Sequence, residues 1–320
     1  MKNKKKIVLL GAVSLIICIL FLTVGLDSNY KYVLSKRIPK LIAIILTGVS
    51  ISFSSMVFQT ITNNRILTPG VMGMDSIYIF LQTLIIFFLG SSSSLSRNNN
   101  LNFIISLIFM ILVMQLLYKL MIGKKNLNIL YLLLIGMVFK TFFGSLSSFM
   151  QTVIDPNEFQ MVQDKMFASF NNINADILLI SLILVAISIV YASEYINIFD
   201  VMALGREEAI NLGVDYELVV KKVLVVIAIL LSVSTALVGP ITFLGLMVVS
   251  ISREFIKSYK HSYLITSSAF IAVIALVGGQ FIVERVMNFK VTIDVIINFI
   301  GGIYFIYLLL KESRSNDTVK

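Results

Sequence analysis

Side chains able to do chemistry are scarce in this chain. Its 320 residues hold one histidine, His261, and one cysteine, Cys18. A catalytic nucleophile needs a base beside it, and a transition-metal site needs several His, Cys, Asp or Glu ligands. These two residues fall in different regions, so an intramembrane enzyme has almost nothing to be built from, and no cofactor or metal is expected. A single cysteine also excludes a disulfide within the chain and a CxxC site. GKKN at 123–126 lacks the glycine spacing of G-x-x-x-x-G-K-[ST], which occurs nowhere else either, so the chain is not expected to hydrolyse ATP through a P-loop. What remains is Lys140 inside an apolar run, Asp75 and Asp294 near helix starts, and a long polar interruption, ALGREEAINLGVDYELVVKK at 203–222.

That interruption reads as a docking surface. Gly205 can open a short helix with Glu207 and Glu208 in its first turn, where acidic side chains suit the positive end of the helix dipole. Gly213 can close it, Asp215 occupies an N-cap position, and Lys221 with Lys222 mark the start of the next apolar run. The expected shape is two helices in an L at the membrane surface, with Arg206, Glu207, Glu208 and Asn211 exposed and Ala209 and Leu212 turned to the membrane body. A solvated loop is the plainer reading of the same residues.

The elements that must position such a surface are membrane spans. Hydrophobic residues make up 58% of the chain, charged residues 13%, and the mean hydropathy is +0.95. A crossing helix needs roughly 20 apolar residues, and about ten runs qualify: 7–26, 41–61, 71–90, 101–121, 128–150, 175–193, 221–238, 241–256, 264–283 and 292–310. Long continuous runs select an all-α polytopic bundle over a barrel. Short loops leave one transmembrane domain over 1–320. The net charge of +9 is spread over many loops rather than gathered in a stripe, so no nucleic-acid partner is expected. It fits the positive-inside rule with both termini cytoplasmic and the protein in the cell membrane.

The opening MKNKKKIVLLGAVSLIICILFLTVGL has the basic start of a signal peptide, but its apolar run is about span length and lacks a small-x-small exit, so it is expected to stay as the first span. LIIC at 15–18 is a poor lipobox, since Ile17 is bulky and apolar residues continue past Cys18. On the outside, YKYVLSKRIPK at 30–40 gathers Lys31, Lys36, Arg37 and Lys40, with Pro39 suited to the first turn of the next helix. Arg285 and Lys290 stand in the last outer loop. Positive charge held there against the usual bias suits an acidic partner or lipid headgroups, and ordinary interfacial anchoring explains it as well. The segment 152–176 is too long for a turn. Pro156 can start an outer helix in it, with Phe159, Met161, Val162, Met166, Phe167 and Phe170 as an apolar side that lines a vestibule or a subunit contact.

RIPK at 37–40, NNRILTPGVMG at 63–73, LGREEAINLGVD at 204–215, GPITFLGLMVVSISR at 239–253 and NFIGGIYFIYLLLK at 298–311 together resemble, in register, motifs of the permease subunits of type II ABC importers for iron-siderophores, haem and cobalamin. RIPK resembles RLPR, NNRILTPGVMG resembles NPLADPGLLG, and LGREEAINLGVD resembles LGEETARSLGV. GPITFLGLMVVSISR resembles GPIGFVGLIVPHIAR, and NFIGGIYFIYLLLK resembles ALIGAPFFLYLLLR. Val249 and Ser250 replace the family's Pro-His, so no role carries over to that pair, while Arg253 is retained. DPNEF and QDKMFASFNNIN resemble most the branch importing catecholate or mixed siderophores such as petrobactin and anguibactin.

The resemblance implies a set of partners. These are ABC ATPase subunits, an extracellular lipid-anchored or periplasmic siderophore-binding protein, a second permease copy or paralogue, and a ferric-siderophore cargo. It implies that residues 205–213 form the coupling helix, with Gly205, Arg206, Glu207, Glu208, Asn211 and Gly213 as ATPase-coupling positions. Arg37, Lys40 and Arg285 match binding-protein docking positions, and Lys140 lies in the span that lines the pathway. Lys140 meeting an anionic cargo and Lys140 snorkelling to the interface both remain open. The rival class is a secondary transporter of a small anionic solute driven by an ion gradient. It would place acidic residues within spans, whereas Asp75 and Asp294 sit where capping or the helix dipole accounts for them.

Overall fold

The computed structural model describes residues 2–25, 30–122, 129–171 and 173–317; GKKN at 123–126 lies outside them. The fold is all helical among these residues. Its helices are α1 (Lys2–Thr23), α2 (Tyr30–Ile61), α3 (Met74–Leu89), α4 (Ser94–Arg97), α5 (Asn99–Ile122), α6 (Ile129–Val153), α7 (Pro156–Met166), α8 (Ala175–Ser193), α9 (Ile196–Met202), α10 (Arg206–Asn211), α11 (Tyr216–Val238), α12 (Leu244–Ile256), α13 (His261–Arg285) and α14 (Ile293–Asp317), with a 3-10 turn at Pro69–Met72. By length and composition α1, α2, α5, α8, α11 and α13 can cross a bilayer, while α3 and the Ile293–Leu308 part of α14 are shorter apolar helices. The 13 residues of α12 reach only ~20 Å, short of the roughly 30 Å hydrocarbon layer.

The bundle is built around α2. Its apolar window is 78% buried, against 11% for α1, because α11, α12, α13 and α8 all pack on it. Apolar side chains such as Ile44, Met56 and Phe58 face these neighbours together with small ones such as Ser50 and Ser54. Small side chains let helices approach where lipid supplies no hydrophobic driving force. Gly245 of α12 shows how close: a Cβ there would fall 2.0 Å from Ser55 Oγ. At α1 the apolar residues instead point outward, as in Val8, Leu15 and Ile16, which suits a helix facing lipid.

The N-terminal boundary of α2 departs from expectation. The helix starts at Tyr30, so Pro39 lies in its interior rather than its first turn. Proline there removes one backbone bond, to the carbonyl of Ser35. The extended segment is held from outside the helix by Arg37 and Lys40, which bind neighbouring elements. The outer helix expected after Pro156 is present as α7, N-capped by Asp155 through Asn157 N–H at 2.9 Å. Its Val162 is fully buried and Glu158 accepts from Ser91 N–H at 3.1 Å, fixing α7 to the turn after α3.

Candidate functional site: a capped helix and an opposed charge cluster

Residues 203–222 fold locally as their caps dictate. Gly205 precedes α10 at φ +119°, and Gly213 follows it at φ +85°, both in conformations that favour glycine. Asp215 caps α11 by accepting from Leu218 N–H at 3.2 Å. Ala209 is fully buried and anchors α10, and Val214 N–H donates to its carbonyl at 3.0 Å. Glu207, Glu208 and Asn211 are exposed, and Arg206 pairs with Glu217 of α11 at 3.2 Å, bracing the two helices of the L. Leu212 is a correction. It is 63% exposed rather than turned to the body, because the helix ends at Asn211 and the chain swings out towards Gly213. With Leu204 and Ile210 also exposed, the outer face of α10 is apolar as well as acidic.

Behind α10, α9 packs against α2 and α13. His261, which the expected spans 241–256 and 264–283 leave in the loop between them, is instead the first residue of α13 and only 1% exposed. The reason is full pairing: its backbone N–H and Nδ1 both bond Asp200 Oδ1, at 2.6 and 2.7 Å, and Nε2 meets Thr60 Oγ1 at 2.8 Å. Tyr216, at the start of α11, donates to the Ile61 carbonyl at 2.7 Å. The ends of α2, α9, α11 and α13 are therefore tied together where α10 is attached.

The opposite end of the bundle gathers the three basic residues singled out from sequence. Arg37 Nη1 donates to the carbonyls of Leu22 and Val24, at 3.0 and 2.8 Å, and Arg285 Nη2 donates to the same Val24 carbonyl at 2.8 Å. The last carbonyls of a helix lack intrahelical partners and carry partial negative charge, so two guanidiniums there cap α1. Lys40 bonds Glu284 at 2.6 Å and Asn171 at 3.1 Å, with a side chain only 13% exposed. Arg285 is exposed, Arg37 half-buried and Lys40 already neutralised. Glu284, which sequence reasoning missed, was visible only as an acid beside Arg285.

Near this end a cavity of about 440 Å³ lies under α7, lined by Tyr78, Asn102, Asp164, Lys165, Ser169 and Val238 among others. Burial pushes the Lys165 ammonium below its usual pKa, with Asp164 acting in the other direction. Lys140 lies elsewhere, exposed on α6 with its backbone against Gly73. Asp75 is within its electrostatic reach and accepts from Thr242 Oγ1 at 2.8 Å. The structure does not bring Lys140 together with the coupling or docking residues.

An all-helical bundle with helices of membrane-crossing length and a short capped helix at one end has the build of a membrane transport subunit. The chain belongs to the FecCD transport family, whose model matches residues 7–311. It is 59% identical to the petrobactin import system permease protein YclO of Bacillus subtilis (strain 168), over 98% of this chain and 100% of that one. It is 33% identical to the petrobactin import system permease protein FatC of Bacillus anthracis, over 90% of this chain and 82% of that one. A solved metal-chelate type ABC transporter in an inward-facing conformation shares the fold, with a TM-score of 0.84, 21% identity, and 97% and 99% of the two chains covered.

Proposed function

We propose that this chain is the membrane permease subunit of an ATP-driven importer that carries a ferric-siderophore of the petrobactin kind inward across the cytoplasmic membrane. The observation that carries the reading is the 59% identity to the Bacillus subtilis petrobactin permease along nearly the whole of both chains. In this reading α1, α2, α3, α5, α6, α8, α11, α12, α13 and α14 make ten passes, the non-helical stretch 239–243 completing the crossing of the short α12, and both termini are cytoplasmic. The α10 lever then sits in a cleft of an ABC ATPase. Its acidic and apolar outer face supports that use, since an apolar patch on a short lever is suited to burial against a partner.

Arg37 and Arg285 face a siderophore-binding protein outside, and Lys40 holds α2 to α13 beneath them. A second permease, identical or paralogous, completes the pathway. Gly301 packs inward on Phe243, whereas Gly302 meets nothing within 4 Å and leaves its side of α14 open to close approach. Lys140 lines the pathway and meets the anionic cargo, and uptake by Lys140→Met is expected to fall. Unchanged uptake would remove that role.

The test is co-purification with the neighbouring ATPase and binding protein, followed by ATP-dependent uptake of a panel of ferric-siderophores, haem and cobalamin. Ferric-petrobactin is expected to be preferred. Uptake of haem or cobalamin instead, or uptake without an ATPase, would overturn the reading.

A further inference from the structure

We infer that Thr60, Asp200 and His261 form a transmission clamp, a set of positioning residues through which movement of the α10 lever reaches α2 and α13. This rests on the importer reading above but assigns residues that reading does not need. The clamp joins three elements at one point. Asp200 lies on α9, directly before the lever, Thr60 lies one residue from the end of α2, and His261 begins α13.

Hydrogen-bond chemistry makes the joint stiff. Asp200 Oδ1 takes both the backbone N–H and the ring Nδ1–H of His261, which fixes the ring's position and requires a proton on Nδ1. Thr60 Oγ1 lies 2.8 Å from Nε2 and 3.0 Å from the Met56 carbonyl, yet a hydroxyl has one proton to give. Either it donates to a neutral ring, or it donates to Met56 and accepts from an imidazolium balanced by Asp200. In both arrangements α2, α9 and α13 stay connected. The charged and titratable groups around the ring are Asp200 from α9 and Arg253 from α12, and the Phe199 ring lies tilted against it at a centroid distance of 6.0 Å.

The two helices seized by the clamp are those whose far ends carry the basic cluster. Lys40 of α2 and Glu284 of α13 are bonded at 2.6 Å, and from Thr60 to Lys40 is about 30 Å of helix. The two helices are thus pinned to each other at both ends, and a displacement of α9 and α10 cannot be absorbed by slippage of one against the other. An apolar contact at the same place would hold the helices together but would not set the direction of the joint. The bonds to Asp200 and Thr60 do.

The complex of this chain with its ATPase and binding protein tests the inference in proteoliposomes. Thr60→Val keeps the side-chain shape and removes only the hydroxyl, cutting the α2 arm, and Thr60→Ser restores it. Asp200→Asn keeps an acceptor for both His261 donors, whereas Asp200→Ala removes it. Thr60→Val and Asp200→Ala are expected to bind the ATPase normally and hydrolyse ATP, but to import about tenfold less cargo per ATP, as loss of a buried bond permits. Thr60→Ser and Asp200→Asn are expected to stay within about twofold of the parent by the same reasoning. An unchanged ratio of import to hydrolysis in Thr60→Val and Asp200→Ala would overturn the clamp while leaving the importer reading intact. Failure of the parent chain to bind any ATPase would instead overturn the importer reading.

Discussion

Arg37 has one duty in this structure and a second in the proposed function, and they separate by measurement. As a cap on the Leu22 and Val24 carbonyls it stabilises the end of α1, and its loss in Arg37→Ala is expected to cost about 1–3 kcal/mol of stability in detergent melts. Under the proposed function its positive charge also steers an acidic partner. Arg37→Glu is therefore expected to slow binding-protein association well beyond Arg37→Ala, with the difference shrinking at high salt. Lys165 offers a pH test on a helix outside the candidate spans. Its folded pKa is lowered from 10.5 by burial, so the unfolded chain binds the extra proton and stability rises with pH between the lowered value and 10.5. Thermal melts of Lys165→Met are expected to lose that part of the alkaline gain, and identical pH profiles would rule it out.

Among the elements, the junction of the 3-10 turn with α3 is a point of close approach to backbone. Gly73 sits at φ +85°, and a Cβ there would stand 2.9 Å from the Lys140 Cα, against backbone that cannot rotate away. Gly73→Ala is expected to push α6 off the junction and to lower stability by about 1–3 kcal/mol from backbone strain alone, read as reduced yield and a lower melting temperature. Gly278, with open space around it, serves as the control, and its alanine variant is expected to change little. Helix α10 shows the opposite economy. It holds to the body through buried Ala209 and the Arg206–Glu217 pair, which leaves most of its surface available to a partner.

At the scale of the molecule, the opposed placement of the lever and the basic cluster follows from two antiparallel helices. Thr60 meets His261 at one end of α2 and α13, and Lys40 meets Glu284 at the other. If α10 faces the cytoplasm, a probe attached at Asn211 is expected to react only with reagents admitted from inside, and one at Lys36 only from outside. Labelling of both from the same side would contradict ten passes with both termini within.

Much of this was legible in the residues. Apolar runs of span length dictate helices in lipid, because an unpaired backbone cannot be left there. Gly205, Gly213 and Asp215 fix the lever because their conformations and hydrogen bonds are local. What lay beyond the sequence depended on partners distant along the chain. Pro39 sits inside a helix because Arg37 and Lys40 are held by α1 and α13. Leu212 points outward because the helix ends one residue before it. A lone histidine in an expected loop became a buried joint through Asp200 and Thr60, at 61 and 201 residues' separation. Local chemistry determined which segments are helices and where they are capped; only three-dimensional packing decided which polar side chains meet, since those meetings obey no periodicity.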